Sequence, residues 1–213
     1  MNVSSSVGRI TNPTYVAGLL MPYITVGLGL YIFHSAWVAI FAYHAGILLI
    51  LRLTKFSNPV PFRRPASLWK MIGFAALGLT AGLAMYFLWP FVFVSADLPD
   101  TIERWGLTRV SWPFFIAYSA LVNPWLEELY WRGWLGSATR RPVANDAAFA
   151  GFHLVILAPF ISIAWLAVVF IILTMAGWVW RQVTRQTKSL LPSALCHLTA
   201  DVSILLVIVS EIT

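Results

Sequence analysis

The stretch DAAFAGFHLVILAPFISIAWLAVVFIILTMAGWVW, residues 146–180, decides the fold. As one helix its 35 residues would extend about 52 Å, too long for one crossing of a hydrocarbon core roughly 30 Å thick and short for two. Pro159 is the natural place to turn, because proline lacks an amide proton and clashes with the preceding helical turn. Without that turn, the basic segment 181–188 would land on the wrong side of the membrane and the last helix would run the other way. The stretch is therefore read as two spans, 146–158 and 160–180.

Outward from there, apolar runs near 14–32, 35–52, 69–95, 112–135 and 190–211 bring the expected number of spans to seven. Composition agrees: 60% of the 213 residues are hydrophobic and 10% are charged, which excludes a soluble domain of this length. The fold expected is an all-α polytopic transmembrane bundle forming one domain, residues 1–213. With these spans, Arg9, Arg52, Lys55, Arg63, Arg64, Lys70, Arg140, Arg141, Arg181, Arg185 and Lys188 share one side, and only Arg104 and Arg109 lie on the other. The positive-inside rule makes the first side, with the N-terminus, cytoplasmic. Thr213 and the acidic loop with Asp97, Asp100 and Glu103 then face outward. The +6 net charge is explained by this topology and calls for no nucleic acid. No basic leader with a small-residue cleavage site precedes the first span, so no removable signal peptide is expected.

Ionisable groups are costly in hydrocarbon, and several in separate spans imply a shared site. Glu127, Glu128 and Arg132 lie in the fourth span, His153 in the fifth, and His197 and Asp201 in the last. With Ser111 as cap and Pro113 in the first turn, Glu127 lies about 22 Å along its helix, roughly 8 Å above the inner edge of the core. Counting from Asp146 and Ser189 as caps puts His153 about 10 Å and His197 about 12 Å from the cytoplasmic edge. Three helices thus deliver polar groups to one level, in the cytoplasmic half.

Spacing within each helix adds chemistry. Glu128 and Arg132 are four residues apart, so the arginine can pair and hold that carboxylate. Glu127 points about 100° away and, unpaired, suits a general base. Pro124 removes a backbone hydrogen bond just before the pair and can kink the helix. His197 and Asp201, and likewise Phe149 and His153, share a face at the same spacing. His44 has no partner at a useful spacing and is read as structural. So is Cys196, the single cysteine, which leaves no internal disulfide. The aromatic residues of Leu129 to Trp134 are read as marking the inner membrane interface, and Phe149 as packing.

The ordered set E-E-x-x-x-R-G at Glu127 to Gly133, F-x-x-x-H at Phe149 to His153 and H-x-x-x-D at His197 to Asp201 resembles the CAAX-protease and bacteriocin-processing (CPBP, or Abi) family of intramembrane endopeptidases. The resemblance covers roughly 111–210 as a catalytic core, and residues 1–110 carry no recognised motif. It implies peptide-bond hydrolysis with Glu127 and His153 activating water, Glu128 and Arg132 orienting the site, and His197 stabilising the oxyanion. Family members carry Asn or Asp at the position of Asp201. An ionised carboxylate there would repel an oxyanion, so orientation of His197 is the expected role. The implied substrate is a membrane-associated protein or peptide cut near its C-terminus, prenylated or bearing a C-terminal sorting signal. The implied location is the plasma (inner) membrane.

Rival readings follow from the same residues. Glu127, His153 and His197 offer ligands for zinc, although no H-E-x-x-H pair is present, so a metal-free hydrolase is preferred over a zinc one. A proton-coupled transporter could use the same buried groups, but no inverted repeat is seen. A catalytically inactive scaffold sits poorly with an intact residue set.

Overall fold

The computed structural model describes residues 13–57, 60–63, 68–92 and 97–212, and among them it is a bundle of helices without strands. Arg9, Arg64, Thr213 and the end of the third expected span, residues 93–95, lie outside the described residues. The helices are α1 (Pro13–Gly27), α2 (Ala36–Leu53), α3 (Leu68–Val92), α4 (Leu98–Arg104), α5 (Trp112–Leu121), α6 (Asn123–Glu128), α7 (Ala144–Leu157), α8 (Ile163–Thr187) and α9 (Leu191–Ile212). Two π-helical segments, Leu28–Ile32 and Leu129–Trp134, continue α1 and α6.

Among the described residues five helices are long and apolar enough to cross a membrane: α1 with its π extension, α2, α3, α8 and α9. The sequence reading counts seven spans. The two others differ for local reasons. The expected span at 112–135 breaks at Val122 (φ −123°, ψ −48°), because Pro124 sits in the first turn of α6 and disfavours helix in the residues before it. The expected span at 146–158 is α7, 14 residues long, which extends about 21 Å.

The turn at Pro159 is present, with α7 ending at Leu157 and Ser162 capping α8 through the Trp165 amide. Three readings need correction here. First, α8 continues to Thr187, so Arg181 and Arg185 belong to a helix and not to a loop. Second, Asp146 is not the cap of α7: the helix starts at Ala144, and the Asp146 carboxylate accepts from the Val143 amide at 2.9 Å from the third helical position. Third, Arg181 is buried, donating through Nε and Nη2 to Asp146 at 2.9 and 2.7 Å, through Nη1 to the carbonyls of Ser137 and Thr139, and through Nη2 to that of Arg141. This fork ties the 135–143 loop to α7 and α8, and a bidentate arginine suits that task.

The most extensive packing is α3 on α9, with α7 on α8 and α1 on α2 next. A close approach carries the first contact. Gly78 and Gly82, one turn apart on α3, are the buried residues of that helix, and a Cβ on either would run into Cys196 and Thr199 or Ser203 of α9. Small residues let backbones approach where lipid offers no hydrophobic drive for helix association. The Thr199 hydroxyl donates to the Ala75 carbonyl at 2.7 Å and the Gly82 amide to Ser203 at 3.1 Å, so the seam is also hydrogen-bonded. It fixes α9, which carries His197 and Asp201.

Candidate active site

The site begins with the break before Pro124. Restarting the helix at Asn123 and widening it into a π segment after Glu128 turns Glu127, Glu128 and Arg132 into the bundle, where their residue exposures are 2%, 0% and 5%. π segments recur at functional positions because they redirect side chains at the cost of regular hydrogen bonding. Arg132 Nη1 lies 3.0 Å from Glu128 Oε1, the pairing expected from their spacing. The alignment is poor, and neither Nη1 nor Nη2 of Arg132 makes a hydrogen bond among the described residues. The guanidinium is instead held by rings, 4.1 Å over Phe149 and 4.9 Å over Trp180. Such contacts gain weight away from water.

His197 of α9 joins the two acidic residues. Its Nδ1 donates to Glu128 Oε1 at 3.1 Å, and its Nε2 stands 3.8 Å from Glu127 Oε2 and 3.5 Å from Asp201 Oδ1. The imidazole is stacked on Trp180, with centroids 4.7 Å apart. Its hydrogen-bonded orienting partner is therefore Glu128, with Asp201 at longer range. Glu127 Oε2 and Glu128 Oε2 are buried and make no hydrogen bond among the described residues. Four such atoms, these two with the Arg132 Nη pair, concentrate in one place although buried polar groups are ordinarily satisfied.

His153 stands across Phe149, with ring centroids 4.8 Å apart. Its Nδ1 donates to the Phe149 carbonyl at 2.8 Å, which leaves Nε2 as the acceptor of a neutral imidazole. All six expected site residues thus belong to one neighbourhood. Phe149 does pack, as read from the sequence, and its ring also forms the wall shared by Arg132, His153 and His197.

Several residues at the site escaped the sequence reading. Asn123 donates from Nδ2 to Asp201 Oδ2 at 2.9 Å, while its Oδ1 accepts from His44 Nε2 at 3.0 Å. His44 is thus not partnerless: its Nδ1 also meets the Tyr118 hydroxyl at 2.7 Å. The partners lie on other helices, beyond any within-helix spacing test. A signal for Asn123 existed, since it is an amide in an apolar run four residues before Glu127. Two of the Leu129 to Trp134 aromatics make buried hydrogen bonds that spacing did not indicate. Tyr130 and Trp131 are buried among the helices, with Tyr130 donating to the Gly18 carbonyl at 2.7 Å and Trp131 to the Tyr43 hydroxyl at 2.9 Å. Cys196 is buried under the Trp180 indole, whose Nε1 donates to its sulfur at 3.3 Å.

The donors expected for zinc are Glu127, His153 and His197. Among the described residues no three His, Cys, Asp or Glu side chains gather as a metal-holding group. Nδ1 of each histidine is engaged, by the Phe149 carbonyl and by Glu128, which leaves Nε2 as the nitrogen that meets a ligand.

Residues 109–203 match the family model described as type II CAAX prenyl endopeptidase Rce1-like. The match overlaps the 111–210 stretch that carries the three motifs. No curated protein and no solved structure matches the chain.

Proposed function

We propose that the chain, whose residues 109–203 match the Rce1-like CAAX prenyl endopeptidase model and whose long apolar helices suit a membrane, is an intramembrane endopeptidase in which Glu127 activates a water for direct attack on a peptide carbonyl. The observation that carries this is the pair of adjacent acidic residues with unlike surroundings. Glu128 Oε1 lies 3.0 Å from Arg132 and accepts from His197 at 3.1 Å, whereas Glu127 Oε2 makes no hydrogen bond among the described residues and meets His197 only at 3.8 Å. A free carboxylate oxygen facing an imidazole suits proton abstraction.

In this reading, water sits between Glu127 and the open Nε2 of His153. Glu127 takes its proton as the oxygen attacks the carbonyl carbon, and later passes that proton to the departing amine. His197, turned by Glu128, points its Nε2–H at the developing oxyanion. Asp201, its Oδ2 engaged by Asn123, keeps Oδ1 near the same Nε2 and stabilises the protonated imidazole. Arg132 neutralises Glu128. No step passes through a metal.

The substrate class is a membrane-associated protein or peptide cut near its C-terminus, prenylated or carrying a C-terminal sorting signal. The site faces the cytoplasmic half of a plasma membrane, as charge placement along the chain favours. The test is cleavage of a farnesylated peptide by purified protein in vesicles, with and without a strong chelator. Chelator-resistant cleavage is expected, and complete chelator inhibition reversed by zinc would replace this reading with a metalloprotease.

A further inference from the structure

Two adjacent residues of α2, outside the matched stretch 109–203, reach the site. Tyr43 and His44 are buried, set in an apolar run from Ala36 to Leu51. Their hydrogen bonds bracket Glu127 and Glu128: Tyr43 accepts from Trp131 at 2.9 Å, just after the pair, and His44 Nε2 meets Asn123 Oδ1 at 3.0 Å, just before it. The chain of bonds running on from His44 has one direction. Asp201, as a carboxylate, only accepts, so Asn123 Nδ2 donates to its Oδ2 at 2.9 Å and the amide oxygen is left to accept. His44 then donates from Nε2, and its Nδ1 accepts from the Tyr118 hydroxyl at 2.7 Å. At the far end Asp201 Oδ1 stands 3.5 Å from His197 Nε2.

We propose that His44, with its tautomer set by Tyr118, is a positioning residue for the reaction: it fixes the Asn123 amide, and through it the Asp201 carboxylate that keeps His197 Nε2 aimed at the oxyanion. The proposal rests on the endopeptidase reading above and gives α2 a part in it. Asp201 retains 23% exposure of its side chain, so without Asn123 it has room to turn away from His197. With Oδ2 committed to Asn123, Oδ1 is left beside the imidazole. A contact that served packing alone would be met as well by apolar side chains, without the cost of desolvating four polar groups. Here the four come from α5, α2, α6 and α9, and each satisfies the next. Such a linked network holds a single geometry.

The experiment compares His44→Asn with His44→Gln in the full chain, in phosphatidylcholine vesicles with a fluorescent farnesylated peptide. The longer Gln amide places a donor near the position of Nε2, whereas the Asn amide matches Nδ1 and leaves Asn123 Oδ1 unmet. His44→Asn is expected to lower kcat about tenfold with KM little changed, and His44→Gln to recover most of that loss. In an Asn123→Ala background, where the link to Asp201 is already cut, His44→Asn should cost less than about twofold more. Wild-type kcat in His44→Asn, equal losses in the Asn and Gln variants, a loss confined to KM, or losses that multiply in the Asn123→Ala background each overturn the proposal. Nitrogen-15 spectra of histidine-labelled protein read the same linkage without turnover. His44 is expected as the neutral Nε2–H tautomer, and the His197 signals should move in His44→Asn and stay in His44→Gln. His197 signals indifferent to His44→Asn overturn the positioning role. A wild type that shows the linkage but cleaves no peptide keeps it and removes the endopeptidase reading instead.

Discussion

Nδ1 of His197 donates to Oε1 of Glu128 at 3.1 Å, and Arg132 Nη1 comes within 3.0 Å of the same oxygen. One carboxylate oxygen thus sits between a cation and an imidazole on separate helices, and in the proposed mechanism Glu128 organises the site while Glu127 is its base. Removing its charge leaves a buried arginine uncompensated, at a cost of about 3 kcal/mol or more. Glu128→Gln is therefore expected to lower both the thermal unfolding midpoint in detergent and the cleavage rate. A fully stable but inactive Glu128→Gln protein would move Glu128 into the chemistry.

Asn123 and Asp201 face each other as amide donor and carboxylate acceptor at 2.9 Å. Asp201→Asn should keep activity within several-fold, because an amide can still accept from Asn123 and sit beside His197. Asn123→Asp places two acidic groups together and should cost about tenfold or more in kcat/KM. Exchanging both, Asn123→Asp with Asp201→Asn, restores a donor and an acceptor and should recover most of that loss. A double variant as impaired as Asn123→Asp alone would show that the pair is not coupled.

The Arg181 and Asp146 pair predicts a structural effect. Arg181→Gln leaves Asp146 buried without its cation and frees three loop carbonyls, so a loss of about 3 to 5 kcal/mol is expected. Unfolding in detergent measures it, and a midpoint equal to the wild type would remove Arg181 from the scaffold.

Two glycines of α3 make a matched control. Gly78 faces α9 so closely that Gly78→Ala overpacks the seam, with about 1 to 3 kcal/mol lost, whereas Gly73 has open space and Gly73→Ala should be neutral or mildly stabilising. Equal effects at the two positions would mean that the α3 and α9 contact does not carry stability.

Much of this was legible in the sequence where the signal lies within one helix. The Glu128 and Arg132 pair and the turn at Pro159 follow from spacing and proline chemistry, whereas at Pro124 a kink was expected and the helix breaks. What was hidden lies between helices. The linkage from His44 through Asn123 to Asp201 spans three segments, and no periodicity on α2 could point to it. Arg181 looked like a topology-setting cation because its partner, Asp146, is 35 residues away and looked like a cap. The burial of Tyr130 and Trp131 was hidden because the π segment that turns them inward leaves no mark in composition.

The central claim is that Glu127 is the base that activates water, and it is tested most directly by Glu127→Gln. Purified wild type and variant in vesicles are compared for unfolding midpoint, binding of a farnesylated peptide and its cleavage. The account predicts a folded variant that binds the peptide and cleaves it at least about a hundredfold more slowly. A folded Glu127→Gln protein cleaving at the wild-type rate would contradict it.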